Sequence, residues 1–251
     1  MFKKNQYKQK KIIYLIKKIN FLSKERKRLE KLKYYEKKCL SSGYTYIAGI
    51  DEVGRGALAG PVVAAAVVIK NIDLFYISHL KDSKRLSKSK RDALFELIRE
   101  KADDIGLGIV DPDLIDRINI AQATFLAMKR AIIALKKTPD YVLIDGFKIP
   151  FISIPQDNII KGDNKSVSIA AASIIAKVYR DNIMIDFHNK YPFYEFNKNV
   201  GYGTKKHISA IKEYGISPIH RKTFRGVKTE QTIIEKNKQK SLFWHEAYIN
   251  E

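Results

Sequence analysis

Residues 46–69, YIAGIDEVGRGALAGPVVAAAVVI, constrain this chain more than any other stretch. Two runs of β-branched and small apolar residues flank a glycine-rich break, the pattern of two neighbouring strands joined by a turn. The first run closes on Asp51-Glu52, and charge on a core strand is costly unless it is paired or metal-bound. Adjacent residues on a regular strand point to opposite faces, so the two carboxylates share one site only where the strand is ending. Gly54-Arg55-Gly56 reads as that ending. Its glycines either let backbone N–H groups close on an anion as a nest or simply make a tight turn.

The rest of the chain supplies partners for these strands. DIGLGIVD, DYVLIDGF and NIIKGD read as further strands. SKRDALFELIREKA, AQATFLAMKRAIIALKK and SVSIAAASIIAKVYRDNIMIDFHNKY read as helices, the last with Ile169, Ile174, Ile175 and Val178 as its core stripe. Three early strands followed by strands alternating with helices make an α/β fold, a mixed sheet flanked by helices. Four acids, Asp51, Glu52, Asp145 and Asp163, sit at predicted strand ends, where open α/β sheets form their sites. Carboxylates gathered in a small cleft cannot all stay ionised without cations. Hard divalent ions, Mn²⁺ or Mg²⁺, suit all-oxygen ligands. Two such ions can activate water and stabilise the leaving oxygen in phosphodiester displacement. The competing reading is that these acids only cap turns and helices.

Charge narrows the class of partner. Of the chain's net +20, residues 1–44 carry +12, from 15 Lys and Arg against 3 Asp and Glu. That surplus points to a polyanion such as nucleic acid, or to an anionic surface. Leu22, Leu29, Leu32 and Cys39 recur at helical spacing, and Ser41-Ser42-Gly43 stops the pattern. The expected organisation is a basic helical extension over 1–44, a compact domain over 45–225 and a helical tail over 226–251. A single cysteine, Cys39, excludes an intramolecular disulfide and argues against a cysteine-based zinc site. The longest clean apolar run, 61–69, is too short to span a bilayer, so no membrane role and a cytoplasmic location are expected.

Taken in order, the blocks YIAGIDEVGRGALAGPVVAAAVVI, LKDSKRLS, INIAQATFLAM, VLIDGF, IIKGDNKSVSIAAASIIAKVYRD, GYGTKKHISAIKEYG and SPIHRKTF resemble the type 2 ribonucleases H, specifically bacterial ribonuclease HII. They cover most of 45–225. The resemblance implies a ribonuclease H-like sheet and places Asp51, Glu52, Asp145 and Asp163 on the family's four acidic positions. The first three become the principal metal ligands, and Asp163 completes a second site or positions water. It implies cleavage of the RNA strand of RNA–DNA hybrids, and cutting 5′ of a ribonucleotide embedded in duplex DNA. It also implies that Gly54, Arg55, Gly56 and Tyr202 read the ribose 2′-hydroxyl, the one handle that separates ribose from deoxyribose. Ala57 stands where many relatives have proline.

Ser83, Lys84, Lys165 and Ser166 are candidates for phosphate contacts, since short hydroxyls and ammonium groups suit backbone positioning. Against that, Ser166 can equally N-cap the long helix and Lys84 can be a solvated charge. Lys177, Arg180 and His220-Arg221 carry the same two readings. His207 is not read as a metal ligand, because no second histidine lies at ligand spacing. A non-catalytic nucleic-acid binder and a type 1 ribonuclease H or resolvase-like nuclease are the competing functions. The extension is expected to clamp substrate, so that removing residues 1–40 weakens affinity with little effect on turnover. A monomer is expected, with protein partners unknown.

Overall fold

The computed structural model describes residues 17–20, 23–72 and 87–228. Ser83, Lys84 and the tail from 229 lie outside the described residues. Residues 17–20 are helical, and from residue 23 come α1 (23–32) and α2 (Tyr34–Ser41), then the hairpin β1 (Ile47–Val53) and β2 (Val62–Val68). There follow α3 (Lys88–Lys101), β3 (Asp104–Val110), α4 (Pro112–Ile133), β4 (Tyr141–Asp145) and β5 (Gln156–Ile159). The long α5 (Val167–Lys190), the short α6 (Phe196–Asn199) and α7 (Lys205–Tyr214) complete it.

The five strands form one sheet in the order β3-β2-β1-β4-β5. β2 pairs antiparallel with β1 and β3, while β4 pairs parallel with β1 and β5. Helices cover both faces, which is why VVAAAVV carries no polar residue and is buried throughout. Alternation sorts its side chains. Val62, Ala64, Ala66 and Val68 pack with Ala123, Ala127 and Ala131 of α4. Ala65 and Val67 pack with α5 and with Leu94 and Ile98 of α3.

Glycines set how near the helices come. A Cβ on Gly106 or Gly108 would stand 2.0 or 1.9 Å from carbonyl oxygens of α4, and one on Gly49 would stand 2.1 Å from the backbone of Ser168. α4 is two helical pieces, broken at Asn119, whose φ is +66°. Asn119 Oδ1 accepts from the N–H groups of Ala121 and Gln122 at 3.0 and 3.2 Å, so it caps the second piece. The segment AQATF therefore does begin a helix, with its own cap.

The end of α1 and one face of α2 are built into this core. Leu32, Glu36 and Cys39 are buried at helical spacing. Leu32 joins the α3–α5 cluster, and Cys39 packs on Ile47, Leu143 and Ile169. Burial pushes the Cys39 thiol up to about 11, so it stays protonated and serves as a small apolar filler.

Candidate active site

β1 stays paired with β2 through Val53, with Asp51 opposite Ala65 and Glu52 opposite Ala64. Its pairing with β4 stops earlier, at Ile50 opposite Ile144. The Gly54–Gly56 turn thus does not end the strand at the acids. The parallel neighbour parts from it instead, and Asp51, Glu52 and Asp145 stand where the two strands separate. Alternation still holds for the acidic pair. Glu52 follows Ala48 and Ile50 onto the α4 face and lines a small open pocket with Arg55, Thr124, Phe125, Met128, Asp145 and Phe147. Asp51 lies on the other face, bonded to Ser173 of α5.

Each carboxylate is buried or half-buried and held by a protein donor. Asp51 Oδ1 accepts from the Glu52 N–H at 2.7 Å, and Asp145 Oδ1 accepts from the Gly162 N–H at 2.7 Å. Glu52 pairs with Arg55 at 3.2 Å. Burial pushes the Asp51 carboxyl well up, and the charges of Glu52 and Asp145 add to it. Burial also raises Glu52, opposed by Arg55 and reinforced by Asp145. These are carboxylates that repel one another in a poorly hydrated place.

Asp163 is not at a strand end. β5 is the earlier, polar Gln156–Ile159, and Lys161, at φ +57°, turns the chain into a 3₁₀ turn, Gly162–Asn164, that holds Asp163. Asp163 is buried and accepts from Asn164 Nδ2 at 2.8 Å. It reaches the other acids through its neighbour, since Gly162 is the donor to Asp145.

The donor set fits a hard divalent ion: it is all oxygen, and a cation would replace mutual repulsion with attraction. Among the described residues, however, no three His, Cys, Asp or Glu side chains are gathered closely enough to hold an ion as they stand.

The Gly54–Gly56 turn lies beside Tyr202. Gly54 adopts φ +90°, and a Cβ on Gly56 would stand 4.0 Å from the tyrosine ring. Tyr202 keeps 37% of its surface exposed, and its ring lies 5.7 Å from the Arg180 guanidinium. Arg180 itself is fully buried, as is Arg221, so neither meets a phosphate. They act as staples. Arg180 donates to the carbonyls of Ala59, Pro61 and Val200, and Arg221 to those of Arg55 and Gly60. Lys177 pairs with Asp181 at 2.6 Å.

Ser166 is likewise closed to substrate. It is fully buried, and its Oγ accepts from the Ile169 N–H at 3.2 Å as the N-cap of α5. Lys165 is exposed. The sequence reading missed three features: the Arg180–Arg221 staple, a His207–His220 pair whose Nε2 atoms are 3.0 Å apart, and the burial of Glu36. The helical spacing of Leu32, Glu36 and Cys39 was the signal available for the last.

A mixed five-stranded sheet of this order, with carboxylates where its parallel strands separate, belongs to the ribonuclease H-like class. Comparison narrows the class. The family model described as Ribonuclease HII matches residues 48–227. The chain is 55% identical to Ribonuclease HII of Clostridioides difficile over 212 residues, covering 84% of this chain and 82% of that one. It is 53% identical over 205 residues to Ribonuclease HII of Caldanaerobacter subterraneus, covering 81% and 84%. In structure it resembles ribonuclease H2 of Pyrococcus horikoshii, with a TM-score of 0.66 and 26% identity over 76% of this chain and 99% of that one. The chain belongs to the ribonuclease HII family, a family of hydrolytic nucleases. The non-catalytic binder and the type 1 nuclease are thereby set aside.

Proposed function

We propose that this enzyme hydrolyses the RNA strand of RNA–DNA hybrids and cuts 5′ of single ribonucleotides embedded in duplex DNA, leaving 5′-phosphate and 3′-hydroxyl ends. The observation that carries the reading is the placement of Asp51, Glu52 and Asp145 around the β1–β4 separation, a short way from the turn that faces Tyr202. Asp51, Glu52 and Asp145 hold Mn²⁺ or Mg²⁺, and Asp163 completes the set from its 3₁₀ turn. Bound divalent ions supply activation of a water and stabilisation of charge on the leaving 3′ oxygen.

The chain's own groups do the rest. Gly54, Arg55 and Gly56 present backbone polar groups to the ribose 2′-hydroxyl, and the Tyr202 ring offers a stacking face beside them. Lys165, exposed beside Asp163, meets a backbone phosphate and fixes register without reading sequence. No helix among the described residues is long and apolar enough to cross a bilayer.

The test is a DNA duplex holding one ribonucleotide, incubated with the protein and Mn²⁺ or Mg²⁺, alongside an RNA–DNA hybrid. A nick 5′ of the ribonucleotide is expected. Loss of an ion ligand is worth several kcal/mol in the transition state, so Asp51→Asn and Asp145→Asn should cut about a hundredfold more slowly or worse. Variants that cut as fast as the wild type would overturn the site.

A further inference from the structure

Glu36 lies on α2, outside the residues 48–227 that the family model matches. It is nevertheless 2% exposed, among the most buried acids described. Its Oε1 accepts from the Ser168 N–H at 3.0 Å, from Ser168 Oγ at 2.7 Å and from Ser166 Oγ. Oε2 is buried with no hydrogen-bond partner among the described residues. A carboxylate is expensive to bury, and one set so deep without a cationic partner needs a reason.

The reason lies in what the three donors belong to. The first N–H groups of a helix have no partner within it. Ser166 caps the Ile169 N–H of α5 from its own side chain, and Glu36 takes the Ser168 N–H from across the molecule. Between them they fix the first turn of α5. That turn is wired to the acids on both sides. Upstream, the Ser166 N–H donates to the Gly162 carbonyl at 2.9 Å, and the Gly162 N–H donates to Asp145. Asp163 sits between the two. Downstream, Ser173 bonds Asp51, and Ser168 presses on Gly49, two residues before Asp51.

We propose that Glu36 is a positioning residue for the acidic site: from outside the matched domain it locks the start of α5, and through it the Gly162–Asn164 turn and Asp145. The proposal rests on the reading that these carboxylates hold a divalent ion. It also means that α2 is part of the active-site scaffold and not a detachable appendage.

The full chain is compared with Glu36→Ala, Glu36→Gln, Ser168→Ala and Asp51→Asn. Two quantities are read without substrate: Mn²⁺ affinity, from the free-ion electron spin resonance signal, and hydrogen-exchange protection of residues 162–169. Groups that orient metal ligands typically change affinity 10–100-fold, so Glu36→Ala should lose protection over 162–169 and bind Mn²⁺ about tenfold more weakly. Glu36→Gln, whose amide oxygen accepts from the same donors, should recover most of both. Should Glu36→Ala fail to fold, Ser168→Ala, which keeps the N–H and removes one hydroxyl, should show the same changes in smaller measure. Unchanged Mn²⁺ affinity in folded Glu36→Ala, or in Ser168→Ala, overturns the proposal even if stability falls. Asp51→Asn separates the two failures. If it binds Mn²⁺ like the wild type, the ion-binding reading falls and takes this proposal with it. If it loses binding while Glu36→Ala retains it, only the role of Glu36 falls.

Discussion

The Ser217 N–H donates to His220 Nδ1 at 2.9 Å, which settles where two buried protons lie. That nitrogen is bare, so His220 carries its proton on Nε2 and donates it to His207 Nε2. His207 must then carry its proton on Nδ1, donating to the Tyr202 carbonyl at 2.9 Å. The chain of bonds ends on the backbone of the residue read as the sugar sensor. Both rings are kept neutral by burial, His207 below its ordinary value and His220 down at about 3, with His207 adding to the effect on His220. The sign follows directly. Unfolded histidine takes a proton near pH 6.5 and folded His220 does not until about 3, so this stability is present above 6.5 and is lost as pH falls. Asp51 and Glu52, raised by burial, pull the opposite way. A difference between variants isolates the histidine. Between pH 7 and pH 5 the wild type should lose about 2 kcal/mol more than His220→Gln in urea unfolding. Equal losses would mean that His220 is not neutral in the folded chain. Spacing alone hid this pair, because His220 is thirteen positions on and is delivered by the Ala59–His220 bridge.

At the scale of elements, what the sequence displayed was apolar periodicity, and where that existed the reading held. β1, β2, β3, β4, α3 and α5 all stand where their hydrophobic patterns put them. β5 did not, because Gln156-Asp157-Asn158 is a polar edge with one paired side, and such a strand carries no apolar signal. The acids divided in the same way. Asp51, Glu52 and Asp145 ride on strands and were legible, whereas Asp163 depends on a left-handed residue at Lys161 that composition does not announce. α2 was legible as a helix but not as core, since its lysines placed it in the basic extension and outside the compact domain. The buried face it shares with the end of α1 changes what truncation does. Leu32, 2% exposed in the α3–α5 cluster, should cost about 2–5 kcal/mol on replacement by alanine. Removing residues 1–40, expected from sequence to spare turnover, deletes Leu32, Glu36 and Cys39 from the core. The folded fraction of that truncation, followed by thermal denaturation, should collapse well below the wild-type transition. A truncation that melts with the full chain would return α2 to the status of an appendage.

Over the whole molecule, charge is arranged in opposition. A chain of net +20 sets three carboxylates where its parallel strands separate, so its broad positive field favours a polyanion while that one place opposes it. On the proposed reading, an anionic pocket that receives a phosphate is a barrier that divalent ions would remove, whereas the chain's lysines would attract the duplex whatever occupies the pocket. The two effects separate by salt. Each phosphate neutralised contributes a slope of about −0.9 to the logarithm of duplex affinity against the logarithm of salt. Residues 1–22 hold seven lysines and no acid. They precede the buried stretch that begins at Leu32, so their removal leaves the α2 anchor in place. A chain beginning at residue 23 should keep its melting transition and kcat, raise KM, and bind an RNA–DNA hybrid with a visibly shallower salt slope. Slopes that coincide would assign those lysines no contact with substrate and leave hybrid binding to the residues from 23 onward. A changed kcat with an unchanged slope would place the segment at the chemistry, where its charge composition gives it no role.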